Sequence, residues 1–148
     1  MEIKRTDSTD PDFISLVSLL DADLADRDGV ENAFYSQFNK IDMIRHAIVV
    51  YTNDEPAACG AMKAFEQDSM EIKRMYTSPV HRGKGLAKSV LAALEIWAKE
   101  LGYRSCVLET GKRQPEAIAL YTSQGYSVVE NYGQYAGVEN SVCFRKDL

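Results

Sequence analysis

The chain has 148 residues, enough for one domain with its own core, with 45% hydrophobic and 26% charged residues as in ordinary soluble globular proteins. No stretch approaches the roughly 20 consecutive apolar residues of a membrane span, and Met1-Glu2-Ile3-Lys4-Arg5 leads into Thr6, Asp7 and Ser8 without a signal-peptide pattern. The net charge of -5 argues against general nucleic-acid binding.

Glu2 to Arg5 reads as a short strand. Asp10-Pro11 then opens a helical pattern in which Phe13, Leu16, Val17, Leu20 and Leu24 keep a 3.6-residue period, with Asp10 as N-cap and Pro11 in the first turn. A second short helix is expected around Ala33, Phe34 and Phe38. Ala47 to Thr52 is a buried strand, Asn53-Asp54-Glu55-Pro56 a turn, and Ala57 to Phe65 the return strand of a hairpin. Met70 to Thr77 is a third strand, ended by Ser78-Pro79. Leu86, Val90, Leu94, Trp97 and Leu101 are spaced 4, 4, 3 and 4 apart, one apolar stripe of a helix from about Gly85 to Leu101 that stops at Gly102. Ser105 to Glu109 is a strand, Pro115 to Gln124 a helix stopped by Gly125, and Tyr126 to Glu130 and Ser141 to Arg145 are the last strands. Strands interleaved with helices, without linker or repeat, indicate one mixed α/β or α+β domain over residues 1–148.

The three cysteines, Cys59, Cys106 and Cys143, are far apart and form no CxxC pair, so they read as buried free thiols of a reducing, cytoplasmic compartment. His46 and His81 are the only histidines and neither is near a cysteine in sequence, so no metal site is expected.

The charges are unevenly spread. Ile72 to Leu94 contains no acidic residue and holds Lys73, Arg74, Arg82, Lys84 and Lys88, a basic island suited to a small anion. Arg82-Gly83-Lys84-Gly85-Leu86-Ala87-Lys88 stands between a strand and the clearest helix. A helix start leaves four backbone N–H groups without intrahelical partners and carries a partial positive charge, so cations there are unfavourable until an anion arrives. A phosphate would meet free amides, dipole and cations together, and glycines let it approach the backbone. This points to a phosphate or pyrophosphate site; the plainer reading is a solvated basic helix start. A Walker A loop fails because Arg82 stands where its first glycine belongs, and the GxGxxG fingerprint fails because Lys88 replaces the third glycine.

Arg82-Gly83-Lys84-Gly85-Leu86-Ala87 matches the [Q/R]-x-x-G-x-[G/A] signature of the GCN5-related N-acetyltransferases (GNAT). Ser78-Pro79 before it, the helix ending Glu100-Leu101-Gly102-Tyr103, and Gln114-Pro115-Glu116-Ala117-Ile118-Ala119-Leu120-Tyr121 followed by Gln124-Gly125-Tyr126 resemble that family too, over about Met70 to Val129. The resemblance implies an α+β fold with a mostly antiparallel, splayed sheet of six to seven strands and about four helices. It implies acetyl-CoA as cofactor, its pyrophosphate on the amides of Arg82, Gly83, Lys84, Gly85, Leu86, Ala87 and Lys88. The pantetheine arm would pair with the backbone of Met75, Tyr76 and Thr77, in a gap between that strand and Ser105 to Glu109. Tyr121 would protonate the departing thiolate, or else be a core aromatic beside Ile118 and Leu120. Glu71, 11 residues before Arg82, would be the general base, or else a surface carboxylate paired with Lys73. A backbone N–H near Met75 would stabilise the oxyanion. Homodimers are frequent in that family.

The resemblance implies a primary amine as acceptor, of a small molecule such as an amino acid or related metabolite; the alternatives are acetylation of a protein or peptide lysine or N-terminus, or a non-catalytic CoA-binding regulator. Strand alternation puts Lys73 on one face with Glu71 and Met75, and Arg74 on the other. Lys73 could hold a substrate carboxylate or be solvated. Asn131, Tyr132 and Tyr135 would line the acceptor site by the same resemblance, or belong to a long turn.

Overall fold

The computed structural model of the protein describes residues 1–29 and 44–148. Ala47 to Val50 is apolar at every position, and every one of those side chains is buried. Such a run suits a strand covered on both faces. It lies in β2 (His46–Thr52), which turns through Asn53 and Asp54, both at positive φ, into β3 (Glu55–Glu66). β4 (Ser69–Thr77) follows antiparallel to β3, and β1 (Glu2–Thr6) pairs with the other side of β2.

α1 (Pro11–Asp28) covers one face. The Asp10 carboxylate caps it, accepting from the amides of Asp12 and Phe13 at 2.8 and 3.3 Å, and Phe13, Leu16 and Val17 pack on Ala47, Val49, Cys59 and Ala61. α2 (Leu86–Glu100) and α3 (Pro115–Ser123) cover the other face, where Leu86, Val90, Leu91 and Leu94 meet Ile48, Met62, Met70 and Ile72. Leu101, expected on the apolar stripe, lies past the helix end and is 45% exposed; Ala98 is buried in the last turn instead. The expected helix at Ala33, Phe34 and Phe38 lies outside the described residues, among which there are three α-helices where about four were expected.

β5 (Ser105–Gly111), β6 (Ser127–Val129) and β7 (Ser141–Asp147) complete a seven-stranded sheet in the order β1-β2-β3-β4-β5-β7-β6. All neighbours are antiparallel except β4 and β5, and this parallel pairing lasts only three residues: Ser69 with Ser105, Met70 with Cys106, Glu71 with Val107. Beyond Glu71 the two strands part.

A bulge in β4 accompanies the parting. Lys73 pairs with Ala61 and Tyr76 with Cys59, so the β4 step is one residue longer than the β3 step. Arg74 sits in it at φ 59. The extra residue reverses the alternation: Met75 packs against the α2-side core with Ile72, while Arg74 reaches Asp21 on α1. The expectation that Met75 shares a face with Lys73 and Glu71, opposite Arg74, is therefore corrected; an unbroken period of two cannot register an inserted residue. Gly60 lies opposite the bulge because any side chain would collide there: a Cβ would come within 2.6 Å of Met75 Sδ and of Val90 Cγ1. Gly60→Ala is expected to lower unfolding stability by about 1–3 kcal/mol, read as a lower urea midpoint at unchanged slope.

Candidate active site

The glycine loop has the geometry of an anion cradle. Gly83 and Gly85 both sit at φ 78, and Gly85 is the N-cap of α2. A Cβ at either would meet nothing within 4 Å, so glycine is required here by backbone conformation, not by space. No side chain caps α2 and no acidic residue stands in its first turn, which leaves its leading amides available. Arg82 ties the loop to the end of β4, its Nε donating to the Thr77 carbonyl at 2.9 Å with the guanidinium 5.7 Å from the Tyr76 ring centroid.

A cavity of about 340 Å³ opens over this loop. Its walls are Met75, Tyr76 and Thr77 of β4, then Arg82, Gly83, Gly85, Leu86, Ala87 and Lys88. Asp23 and Arg27 of α1 and Glu116 and Leu120 of α3 close the far side. Arg27 pairs with both acids there, 3.3 Å from Asp23 and in contact with Glu116.

A second cavity of about 110 Å³ lies where β4 and β5 part, between Glu71, Lys73 and Arg74 on one strand and Glu109 and Thr110 on the other. The Glu71 side chain is 4% exposed; it accepts from the Tyr132 hydroxyl at 2.8 Å and lies 3.9 Å from Lys73 Nζ. Burial holds the Lys73 pKa below the usual lysine value, and neighbouring Glu71 opposes that shift. Burial, then the Glu71 charge, raises the Tyr132 phenol above its ordinary value. Glu109 accepts from Ser141 Oγ at 2.7 Å.

The cavities meet at Met75, Gln114, Ala117 and Tyr121, which line both, with Leu20 of α1. Tyr121 is 6% exposed, and burial, then the Glu109 charge, raises its phenol above the ordinary tyrosine pKa. It therefore keeps its proton at neutral pH, as a proton donor must. The cysteines offer no nucleophile. All are buried and free, and burial pushes the Cys59 and Cys106 thiols up to about 12 and Cys143 to about 11.

A helix start with uncapped amides, a groove along the side of β4 that has no β5 partner, and a protonated tyrosine at the junction with a second, charged cavity suit transfer between two bound molecules. Comparison with known proteins agrees. The profile of the Acetyltransferase (GNAT) family matches residues 13–126. The chain belongs to the GNAT family.

It is 39% identical over 100 residues to the uncharacterized N-acetyltransferase YsnE of Bacillus subtilis, a stretch covering 66% of each chain. It is 33% identical over 91 residues to an IAA acetyltransferase of Azospirillum brasilense, covering 61% of this chain and 60% of that one. The chain thus spans somewhat under two thirds of these relatives. A Klebsiella pneumoniae protein assigned to the acyl-CoA N-acyltransferases has a similar structure, with TM-score 0.83 and 32% identity over 99% of this chain and 97% of that one. The fold is shared with PaiA N-acetyltransferase of Thermoplasma acidophilum in complex with coenzyme A, at TM-score 0.73 and 15% identity over 99% and 98% of the chains. The matched family is one of acetyltransferases, and the Klebsiella protein is described as an acyl-CoA N-acyltransferase.

The candidate site residues expected from sequence divide in space. Arg82, Gly83, Gly85, Leu86, Ala87 and Lys88 line the larger cavity with Met75, Tyr76 and Thr77; Lys84 does not. Glu71, Lys73, Tyr121 and Tyr135 line the smaller cavity. Tyr132 reaches it through Glu71 and packs at a tilt against Phe65 and edge-to-face against Tyr135, with ring centroids 4.5 and 5.9 Å away. Asn131 lines neither cavity: its amide donates to the Val138 and Ser141 carbonyls, both at 3.0 Å, and so folds this segment back. Glu109, Thr110, Gln114 and Asp21 escaped the sequence reading. Glu109 could have been sought, because ligands bind beyond the carboxyl ends of parallel strands; Asp21 carries no such signal. Gly85→Ala disfavours the left-handed backbone by about 1–2 kcal/mol; the free loop relaxes away from it and must recover it on binding, so acetyl-CoA Kd by calorimetry is expected to rise roughly 5- to 30-fold.

Proposed function

We propose that residues 1–148 form one N-acetyltransferase domain, cytoplasmic in its setting, that acetylates the primary amine of a small molecule such as an amino acid or related metabolite. The observation that carries this is the meeting of the two cavities at Met75 and Tyr121. A small second cavity flanked by buried charges supports a compact acceptor over a peptide. The buried free cysteines support a reducing compartment, and among the described residues no helix is long and apolar enough to cross a membrane.

Acetyl-CoA, when bound, supplies the acetyl group as a thioester. The amides at the start of α2 would hold its phosphates, aided by Arg82 and Lys88, and the β4 backbone beyond Glu71, which has no β5 partner, would be free to pair with its arm. Glu71 takes one proton from the acceptor ammonium, so that the nitrogen lone pair is free to form the new C–N bond. A backbone N–H near Met75 stabilises the charge gathering on the carbonyl oxygen. As the C–S bond breaks, Tyr121 gives its proton to sulfur, and the nitrogen's second proton restores the phenol directly or through water. The direct transfer needs no acetylated cysteine.

The test is thiol release from acetyl-CoA with amino acids, polyamines, aminoglycosides and lysine peptides. Amine-dependent release is expected, and Tyr121→Phe is expected to lower kcat by roughly 10²–10⁴ while acetyl-CoA Kd changes little. Tight CoA binding with no turnover of any amine would support a CoA-sensing regulator instead. Because the Tyr121 pKa is raised, its protonated form persists upward in pH, and wild-type kcat should show no loss from phenol ionisation below about pH 10.

A further inference from the structure

Arg74 is 5% exposed and stands in the β4 bulge at φ 59, a backbone region that costs a non-glycine residue free energy. One terminal nitrogen reaches the half-exposed Asp21 carboxylate on α1. Its Nε is buried and has no hydrogen-bond partner among the described residues. A buried donor left unpaired in a native protein is uncommon and calls for an explanation. Arg74 lines the smaller cavity, and a guanidinium is always charged and matches a carboxylate in shape.

We propose that Arg74 anchors a carboxylate of the acceptor, so that the acetylated amine belongs to an amino acid or another small amino-carboxylate. This rests on the reading of the cavity between β4 and β5 as the acceptor site.

The charges around the cavity favour a zwitterion. Lys73 and Arg74 face Glu71 and Glu109, with Asp21 behind Arg74. An acceptor carrying one ammonium and one carboxylate leaves that balance unchanged. A dianionic phosphate would add its charge to three carboxylates, and a polyamine would leave the Arg74 Nε unpaired. Glu71 and Glu109 lie on the two strands that part, beside the junction at Met75 and Tyr121, so an ammonium among them sits where the thioester is expected. Leu20 and Leu24 of α1 give the same cavity an apolar wall against which a side chain can rest.

The experiment compares each common L-amino acid with its α-carboxamide, which keeps the amine and side chain and removes the negative charge, using thiol release from acetyl-CoA and the full chain. For turned-over side chains, wild type is expected to prefer the acid by roughly 10- to 100-fold in kcat/KM, the range of a charge-assisted hydrogen bond. The preference should collapse toward 1 in Arg74→Gln and be partly kept in Arg74→Lys, with unchanged acetyl-CoA Kd certifying the fold. The wild-type comparison needs no variant and stands even where Arg74→Gln fails to fold. Equal kcat/KM for acid and amide, or a preference that survives in folded Arg74→Gln, overturns the assignment and leaves the transferase reading intact. No thiol release with any amine overturns the acceptor-site reading and the assignment with it.

Discussion

Backbone pairing between β4 and β5 stops after Glu71 and Val107, and both cavities follow from that stop. A parallel pair inside a sheet normally continues, because a buried N–H or C=O without a partner costs about as much as a lost hydrogen bond. Here the groups beyond Glu71 open onto a cavity where a ligand or water can satisfy them. The bulge at Arg74 bends β4, and Gly60 on β3 leaves room for Met75 to turn toward α2. The strong antiparallel ladders on either side, β3 with β4 and β5 with β7, hold the two parted strands in place.

Charge is placed with equal economy. The basic island from Ile72 to Leu94 appears in sequence as one patch, but the fold divides it. Arg82 and Lys88 serve the cavity over the α2 start, and Lys73 and Arg74 the cavity between the strands. The first pair sits near solvent, beside free amides, where the helix dipole adds to the attraction for phosphate. The second pair is buried beside carboxylates, where the reduced dielectric strengthens every interaction and makes an unpaired group costly. Tyr121 stands at the boundary, on a helix whose neighbours Ile118 and Leu120 pack into the core. The core packing and the proton-donor position are thus compatible for one side chain, so neither reading of this tyrosine excludes the other.

Much of this was legible from residue order. The α2 stripe, the Asp10 cap, the Asn53-Asp54 turn and the glycine loop are local features, each decided by residues within one or two turns of one another, and the structure places them within a residue or two of expectation. The basic glycine loop was readable for the same reason, since helix N-terminus, glycines and cations are contiguous. What sequence determined alone is therefore the order of the described helices and strands, the family and a glycine loop at a helix start.

The tertiary structure alone decided the cavity between β4 and β5. Arg74 meets Asp21 across 53 residues, Tyr132 meets Glu71 across 61, and Ser141 meets Glu109 across 32. The bulge that turns Met75 away from Lys73 depends on how β4 packs over β3, and strand alternation cannot foresee it. A cavity between two strands is made by what fails to pair, and no local pattern encodes a missing pair. Residues such as Asp21 and Glu109 look like ordinary surface acids in the chain and acquire a role only from the three-dimensional packing that brings α1 and β5 to the same opening.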